Sequence, residues 1–179
     1  ACRFGRDRGA VVISVGAESS VVAERYARQA EAAGAHAVMA IPPVSIAALT
    51  GDILRYYERI LNAVKIPVIV QDASGYVGRP MPVELLAKLL AEFGERILFK
   101  PEATPIGQRL SELRDATRAT GSLPTRATGS LPASAARVFE GSGGIALVDS
   151  YRRGIVGTMP GADLIDGIVA LWRALKNGD

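Results

Sequence analysis

Short runs of β-branched and aliphatic residues alternate with amphipathic helical patterns from Ala10 to the end of the chain, which makes six strand-helix units. This alternation is typical of βαβ connections, which place helices over the faces of a parallel sheet. The strands are predicted at Val11–Val15, Ala37–Ile41, Ile66–Gln71, Ile97–Lys100, Val138–Phe139 and Ile155–Thr158. The helices that follow them are predicted at residues 20–32, 52–61, 82–93, 106–116, 145–153 and 164–176.

The loops after these strands distinguish a barrel from an open doubly wound sheet. A dinucleotide-binding sheet has G-x-G-x-x-G between its first strand and helix, whereas Val15–Ser20 reads VGAESS here. Polar side chains instead follow several different strands, namely Glu18, Gln71, Lys100, Glu102, Glu140 and Thr158. Sites built from many strand ends are typical of a TIM barrel, so the pattern favours an α/β chain of the (β/α) barrel type.

Composition limits the classes of partner. With 179 residues, of which 49% are hydrophobic, the chain is expected to form one domain with a substantial core. Its net charge of +3 comes from arginines that mostly stand near acidic residues, so no nucleic-acid partner is expected. No apolar stretch approaches the roughly 20 residues that span a membrane. The single cysteine, Cys2, excludes an internal disulfide and favours a reducing, cytoplasmic location.

A duplicated segment interrupts the alternation of strands and helices. The residues Arg118–Pro124 are repeated letter for letter as Arg126–Pro132. Their content of Gly, Ser and Pro, and their place between a helix and a strand, predict an exposed loop insertion over residues 118–134. This insertion is expected to be a passive connection rather than a binding element.

Lys100 is the residue that most strongly suggests chemistry. Only four of the 21 basic residues are lysines, and Lys100 alone follows an apolar strand. Desolvation favours a neutral amine over an ammonium ion, and a neutral amine can attack a ketone to form a Schiff base. Alternatively, Lys100 pairs with Glu102 and serves only the structure. The residue pattern by itself leaves both interpretations open.

Several motifs, taken in their order, resemble one enzyme family. They are Gly16–Ser19, Pro42–Pro43, Ile66–Ile69, Ser74–Gly78, Phe99–Glu102, Gly141–Gly144 and Gly157–Gly161. Over about residues 10–178 they are similar to the dihydrodipicolinate synthase and N-acetylneuraminate lyase family of class I aldolases and dehydratases. The resemblance implies a (β/α)8 TIM barrel and a Schiff-base lysine on the sixth strand, at the position of Lys100.

The same resemblance makes the six units of this chain strands three to eight of the barrel. Residues 1–179 are therefore expected to be a single, N-terminally truncated aldolase-type domain without the carboxylate-binding loop that follows the family's second strand. Two functions stay open. One is a lyase, either aldolase or dehydratase, that forms an imine between Lys100 and a 2-keto acid. The other is an inactive fragment or pseudoenzyme that keeps the barrel scaffold.

The end of the family's fifth strand differs in this chain. The family usually places a proton-relaying tyrosine there, in a Tyr-Asn-x-Pro context, where this chain has Gln71-Asp72-Ala73. A glutamine can hydrogen-bond but cannot act as an acid or base near neutral pH. Gln-Asp-Ala is similar to the branch of dehydratases that act on 2-keto-3-deoxy sugar acids, so this substrate class is expected. Condensation of the dihydrodipicolinate synthase type is a further alternative.

The positions of the motifs suggest substrate-binding residues. Gln71 and Tyr76 are expected to orient the substrate, although loop packing explains Tyr76 equally well. Gly141, Gly143 and Thr158 are expected to bind part of a sugar acid near the last two strands, where barrels often hold anions through backbone N–H groups. Plain tight turns are the alternative for both glycine-rich stretches.

Three further residues each have two interpretations. Asp72 can orient Gln71 or cap the following turn, and the turn is favoured. Glu102 can balance the charge of an imine or join a surface ion pair. His36 is expected to be structural rather than catalytic. No cluster of His, Cys and carboxylates has metal-ligand spacing, so neither a metal nor another cofactor is expected; a small 2-keto acid and further copies of the chain are the expected partners.

Overall fold

The computed structural model describes residues 1–5, 7–46, 48–75, 77–119 and 137–178. Its strands are β1 (Val12–Ser14), β2 (Ala37–Ala40), β3 (Val68–Asp72), β4 (Ile97–Pro101), β5 (Phe139–Glu140) and β6 (Gly157–Thr158). Its helices are α1 (Cys2–Gly5), α2 (Ser20–Ala32), α3 (Thr50–Ala63), α4 (Val83–Phe93), α5 (Ile106–Ala119), α6 (Leu147–Arg152) and α7 (Ile165–Asn177). A 3-10 turn, Gly94–Arg96, joins α4 to β4.

The strands pair in parallel and in chain order. β1 pairs with β2, β2 with β3, and β3 with β4, and β5 pairs with β6. A parallel bridge between Phe99 and Val138 connects β4 with the segment that leads into β5. Parallel neighbours joined through helices form the βαβ arrangement, so the predicted α/β architecture with about six units is confirmed. The carboxyl ends of the strands consequently lie along one edge, where a site can form.

One face of the sheet packs against the helices. The strand residues on this face belong to the large apolar core that also holds the buried side chains of α2, α3, α4 and α5; they are Val38, Ala40, Val68, Val70, Ile97 and Phe99. The β-branched residues fit a sheet that is covered by helices, because parallel strands are buried on their faces.

The opposite face carries a second, smaller apolar cluster. Ala37, Ile69 and Leu98 are buried there and pack with four partly buried residues, Val12, Met39, Phe139 and Met159. Side chains alternate between the two faces along a strand. Gln71, two residues after Ile69, and Lys100, two residues after Leu98, therefore lie on this second face, at its carboxyl-terminal edge.

Helices α2 and α3 approach the sheet in different ways. The buried residues of α2 are alanines, Ala23, Ala27 and Ala30, so the helix backbone comes close to its neighbours. In α3 the fully buried Tyr57 packs edge-on against Tyr56 and donates a hydrogen bond of 2.9 Å to the carbonyl oxygen of Ala40 in β2. Burial raises the pKa of Tyr57 well above its ordinary value of 10.0, which keeps this phenol a donor.

The predicted elements are all present, and their ends differ by a few residues. The predicted helix 82–93 is observed at Val83–Phe93 and ends at Gly94, whose φ of 55° suits a glycine. The short helix α1 was not predicted from the sequence. Arg118 and Ala119 end α5, and the rest of the predicted insertion up to residue 134 lies outside the described residues. Within the described part of the chain no helix is long and apolar enough to cross a membrane.

Candidate active site

Lys100 and Glu102 form an ion pair at the end of β4. The Nζ atom of Lys100 donates to Oε1 of Glu102 at 2.9 Å, and the two side chains are only 9% and 8% exposed. The other carboxylate oxygen, Oε2, accepts a hydrogen bond of 2.5 Å from Nε2 of Gln71. One buried carboxylate thus contacts both the predicted nucleophile, Lys100, and the predicted substrate-orienting residue, Gln71.

The register of β3 and β4 brings these side chains together. Gln71 is paired with Lys100, and Asp72 with Pro101, in the parallel ladder. The ladder continues one step further, because the N–H of Glu102 donates to the carbonyl oxygen of Asp72 at 2.8 Å. Since alternate residues of a strand share a face, Lys100 and Glu102 both point to the side of the sheet on which Gln71 lies.

Two glycines fit closely around Glu102. A methyl group added to Gly141 would lie 2.8 Å from Cγ and Oε1 of the Glu102 side chain. A methyl group added to Gly75 would collide with the carbonyl oxygen of Glu102. The loops after β3 and β5 therefore approach this residue from two directions, and its carboxylate has little room to move.

Asp72 lies on the other face of β3, towards the helices. Its Oδ1 accepts from the N–H of Ser74 at 3.1 Å, and its Oδ2 accepts from the N–H of Met81 at 3.0 Å. Arg109 of α5 stands 3.7 Å from the same carboxylate. The interpretation of Asp72 as the cap of the following turn is therefore confirmed, since its oxygens close both ends of the loop between β3 and α4.

Thr158 faces away from the Lys100 pair. Phe139 belongs to the small apolar cluster on the face of Lys100, so the next residue, Glu140, and its ladder partner Thr158 lie on the opposite face. The Thr158 hydroxyl donates to Oε2 of Glu140 at 2.7 Å. The structure thus places Gly141 at the Lys100 site, whereas the Thr158 side chain supports the neighbouring loop.

The remaining predicted residues are Gly143, His36 and Tyr76. Gly143 has a φ of 70°, which is the left-handed conformation that glycine adopts readily in a turn. Tyr76 lies outside the described residues. Nδ1 of His36 accepts a hydrogen bond of 2.8 Å from the N–H of Val11, which agrees with the structural role expected for this histidine.

Sequence reasoning did not assign a role to Glu140, which is completely buried. Its Oε1 accepts from the N–H of Ser142 at 2.6 Å and also from the Ser142 hydroxyl. A carboxylate directly before a glycine-rich loop, at the end of a strand, was the available signal. Without a ladder register the sequence could not indicate which face this carboxylate occupies.

A cavity of about 290 Å³ lies beside the site, between the loops after β2 and β3. Its lining includes Pro43, Ser45, Asp72 and Arg79 but not Lys100. One wall is fixed by Glu18, whose pKa is lowered by hydrogen bonds from the Ser45 hydroxyl and from the N–H groups of Val44 and Ser45. In the described residues no group of three or more His, Cys, Asp or Glu side chains is arranged to hold a metal ion.

The geometry allows a proton to pass between the Lys100 amine and the Glu102 carboxylate. A primary amine and a carboxylate 2.9 Å apart, both shielded from solvent, can share a proton without an intervening water. Two buried charges are stable together only when their remaining hydrogen-bonding capacity is used, and Gln71 uses part of that of Glu102. The arrangement suits a nucleophilic amine with an adjacent acid or base.

Comparison with curated proteins finds relatives that are synthases and dehydratases. The chain is 30% identical over 110 residues to 4-hydroxy-tetrahydrodipicolinate synthase from Chlorobium luteolum, which covers 60% of this chain and 37% of the relative. It is 27% identical over 171 residues to L-2-keto-3-deoxyarabonate dehydratase from Azospirillum brasilense, which covers 94% of this chain and 50% of the relative. The chain therefore spans half or less of the length of these relatives.

Solved structures show the same fold over almost the whole chain. The dihydrodipicolinate synthase from Acinetobacter baumannii, solved in complex with pyruvate, superposes with a TM-score of 0.80 at 20% identity, covering 99% of this chain and 56% of that one. The synthase from Thermotoga maritima superposes with a TM-score of 0.79 at 17% identity, with the same coverage. At these identities the likeness establishes the fold, which is a partial (β/α) barrel.

The match to a family supplies the classification. The sequence model of the Dihydrodipicolinate synthetase family matches residues 2–101, which is more than half of the chain and includes β1 to β4 with Gln71 and Lys100. The predicted resemblance is thereby confirmed at the level of the family, and this chain belongs to the Dihydrodipicolinate synthetase family.

Proposed function

We propose that the protein is a Schiff-base lyase that dehydrates a 2-keto-3-deoxy sugar acid, with Lys100 as the nucleophile. The observation that carries the proposal is the buried contact between the Lys100 amine and the Glu102 carboxylate at the carboxyl end of β4. An amine that forms an imine must lose a proton before it attacks, and Glu102 stands where it can accept that proton.

The reaction begins with proton transfer from Nζ of Lys100 to Oε1 of Glu102. The neutral amine attacks C2 of the keto acid, and the carbonyl oxygen takes up the proton that Glu102 returns. Loss of water from this adduct leaves a protonated imine, whose positive charge lies beside the ionised Glu102. The carboxylate therefore serves as base, acid and counterion in turn, a set of roles that Gln71 cannot fill.

Dehydration follows from the electron demand of the imine. Removal of a proton from C3 gives an enamine, and the enamine electrons expel the hydroxyl group at C4 as water once it has been protonated. Glu102 is the group in this site that can carry the C3 proton to the leaving hydroxyl. Water then hydrolyses the new imine, which releases the product and the free amine of Lys100.

The other predicted residues take positioning roles in this proposal. Gln71 holds Oε2 of Glu102 and so orients the carboxylate towards Lys100. Gly141 leaves room for that carboxylate, and the loop turn at Gly143 and the Thr158 contact with Glu140 shape the neighbouring rim. Tyr76 is proposed to contact the distal part of the sugar acid.

The substrate class follows from the similarity to the dehydratase. The L-2-keto-3-deoxyarabonate dehydratase matches 94% of this chain, including the region after Pro101 that the family match does not reach. A glutamine at the end of β3 also distinguishes this chain from the family pattern with tyrosine at that place. Both observations favour dehydration of a sugar acid.

Borohydride trapping tests the proposal. The full chain is incubated with pyruvate or with 2-keto-3-deoxyarabonate, reduced with borohydride and digested, and the peptides are weighed. We expect a stable secondary amine on Lys100, and we expect the sugar acid without borohydride to lose one molecule of water. The sample is first shown to be folded by circular dichroism and a cooperative melting transition.

Conservative variants separate specific from incidental labelling. Lys100→Arg keeps the charge opposite Glu102 but cannot form an imine, and it should give no adduct. Lys88→Arg, on the exposed surface of α4, is the matched control and should leave the adduct unchanged. A folded wild-type chain that forms no adduct with either keto acid contradicts the proposal and supports a scaffold without activity.

Condensation of the synthase type is the second candidate. Similarity to the Chlorobium luteolum synthase supports it, and it shares the imine step at Lys100. Here the enamine formed from pyruvate attacks an aldehyde instead of expelling a hydroxyl group. A new carbon–carbon bond in the presence of pyruvate and an aldehyde, without dehydration of the sugar acid, would select this candidate.

A further inference from the structure

Glu140 joins the two glycine-rich loops behind the Lys100 site. Its Oε1 accepts from the N–H and the hydroxyl of Ser142, in the loop after β5. Its Oε2 accepts from the hydroxyl of Thr158 in β6, and its carbonyl oxygen accepts from the N–H of Met159 at 2.8 Å. The side chain is completely buried, so water cannot replace these donors. Removing this carboxylate would leave the partly buried donors of Ser142 and Thr158 without this acceptor.

Gly141 connects this buried carboxylate to the ion pair on the other face. It directly follows Glu140, and its Cα lies so close to Glu102 that an added methyl group would be 2.8 Å from Oε1, the oxygen that Lys100 contacts. Because the peptide between Glu140 and Gly141 is planar and rigid, any displacement of Glu140 also moves Gly141. Gly141 is therefore a wall against which the Glu102 carboxylate rests.

We infer that Glu140 is a positioning residue for the Lys100–Glu102 pair. It acts through Gly141 from the opposite face of the strand and does not touch the reacting groups. When Glu140 holds Ser142 and Thr158, the Glu102 carboxylate is confined towards Nζ of Lys100. The inference rests on the proposed function for its importance to the reaction, but the contact that it predicts can be measured without any substrate.

Competitive acetylation of lysines tests the inference. The full chain is treated with a trace of acetic anhydride at neutral pH, and the acetylated fraction of each of its four lysines is measured by peptide mass analysis. Lys65, Lys88 and Lys176 are exposed and serve as internal references, whereas Lys100 is buried. In Glu140→Ala we expect acetylation of Lys100 to rise at least about threefold relative to the references, because its charge-assisted contact with Glu102 loosens.

Smaller changes keep the test decisive. Thr158→Val and Ser142→Ala each remove one hydroxyl donor to Glu140 and should raise Lys100 acetylation in the same direction but less. Glu140→Gln keeps the size of the side chain and one acceptor oxygen, so it should restore most of the protection that Glu140→Ala loses. If Glu140→Ala does not fold, the acetylation of Lys100 in Thr158→Val and in Ser142→Ala decides the test.

Folded Glu140→Ala, Thr158→Val and Ser142→Ala variants that all keep the wild-type ratio of Lys100 to reference acetylation would overturn the inference, and Glu140 would then serve its own loops alone. An equal rise at all four lysines would indicate general unfolding and would likewise count against a positioning role. The result is independent of borohydride trapping. If the wild-type chain forms no imine but Lys100 acetylation rises in Glu140→Ala, the positioning contact is supported and the proposed function is contradicted.

Discussion

At the scale of single residues, the site depends on a carboxylate that contacts both Lys100 and Gln71. Glu102 contacts Lys100 through one oxygen and Gln71 through the other, in a place that is almost closed to water. Loss of one member of a buried ion pair leaves the other charge uncompensated, which costs more than the pair itself contributes. Substitutions around Glu102 should therefore affect the reactivity of Lys100 before they affect the rest of the fold.

Gly141→Ala tests how closely the loop confines Glu102. The added methyl group overlaps the Glu102 side chain at 2.8 Å, so either the carboxylate or the loop must shift. We expect the rate of imine trapping on Lys100 to fall by about tenfold or more, since an activation free energy higher by roughly 1.4 kcal/mol slows a step tenfold. The rate of borohydride-dependent adduct formation with pyruvate measures it.

Gly167→Ala is the matched control, because no atom lies within 4 Å of the position of its added methyl group. Gly167 is inside α7, where alanine is favoured over glycine by up to about 1 kcal/mol, so this variant should melt slightly higher than wild type. Trapping should remain at the wild-type level. Equal trapping by folded Gly141→Ala and wild type would disprove the confinement of Glu102.

Some of these residue positions could be predicted from the sequence and others could not. Lys100 and Glu102 are two apart in an apolar strand, so their common face follows from strand geometry alone. The contact with Gln71 depends on the register between β3 and β4, which the sequence does not contain explicitly. The face of Thr158 was hidden because β6 is only two residues long and begins with a glycine.

At the scale of elements, charged side chains connect α2 to α3 on the outer surface. Glu24 of α2 pairs with Arg28 in the next turn at 3.0 Å and with Arg59 of α3 at 2.5 Å. The hydrogen bond from Arg59, followed by that from Arg28, lowers the pKa of Glu24 below its ordinary value of 4.5. The two helices pack closely through alanines, and this pairing adds an ionic contact at the rim of their interface.

The lowered pKa of Glu24 makes its contribution to stability depend on pH. A carboxyl group whose pKa is lower in the folded than in the unfolded state stabilises the fold fully above its unfolded value. That contribution is lost as the pH falls through the folded value. We expect Glu24→Gln to unfold at a lower urea concentration than wild type at pH 7, and the difference to shrink as the pH falls below 4.5 and through the lower pKa of the folded state.

Urea midpoints measured from pH 3 to pH 8 give the comparison. Glu92→Gln, on the exposed surface of α4, is the control for replacing a helical glutamate. Raising the salt concentration should also shrink the effect of Glu24→Gln, since exposed ion pairs are screened. A difference between wild type and Glu24→Gln that stays constant down to pH 3 would show that charge is not its cause.

Helix and strand positions were predicted well where the periodic pattern is long. α4 carries leucines and alanine at helical spacing between Pro82 and Gly94, and its observed bounds match the prediction within one residue. The bounds of the last two strands were predicted less well. Each strand has only two residues, and the glycines around them carry no periodic signal. α1 has four residues and no buried side chain, which is too short for a pattern to indicate.

At the scale of the whole molecule, six parallel strands form a curved part of a barrel. The likeness to complete synthases covers 99% of this chain but 56% of theirs, and the site residues come from the strands that this chain contains. The order of strand-helix units was readable from the sequence because each unit repeats the same pattern. The approach of the loop after β5 to the end of β4 was not readable, since it depends on these two strands being neighbours, as the bridge between Phe99 and Val138 shows.

The duplicated segment provides a test at this scale. Between Ala119, at the end of α5, and Arg137 lie 17 residues that the structure does not describe, and they include the whole second copy, Arg126–Pro132. Arg137 itself is fixed, because its carbonyl oxygen accepts from the N–H of Phe99 at 2.9 Å and its side chain donates to the carbonyl oxygen of Glu95. The connection therefore runs between two elements of the fold that do not depend on its length.

Deletion of residues 126–133 should leave the fold intact. It roughly halves the connection, and halving a flexible loop changes its closure free energy by only about 0.6 kcal/mol. We therefore expect the melting temperature to change by less than about 3 °C. Scanning calorimetry of the deletion variant, with Lys100 trapping by pyruvate as a second reading, measures both stability and site. A melting temperature lower by more than roughly 10 °C would mean that the second copy packs against the barrel and is part of its core.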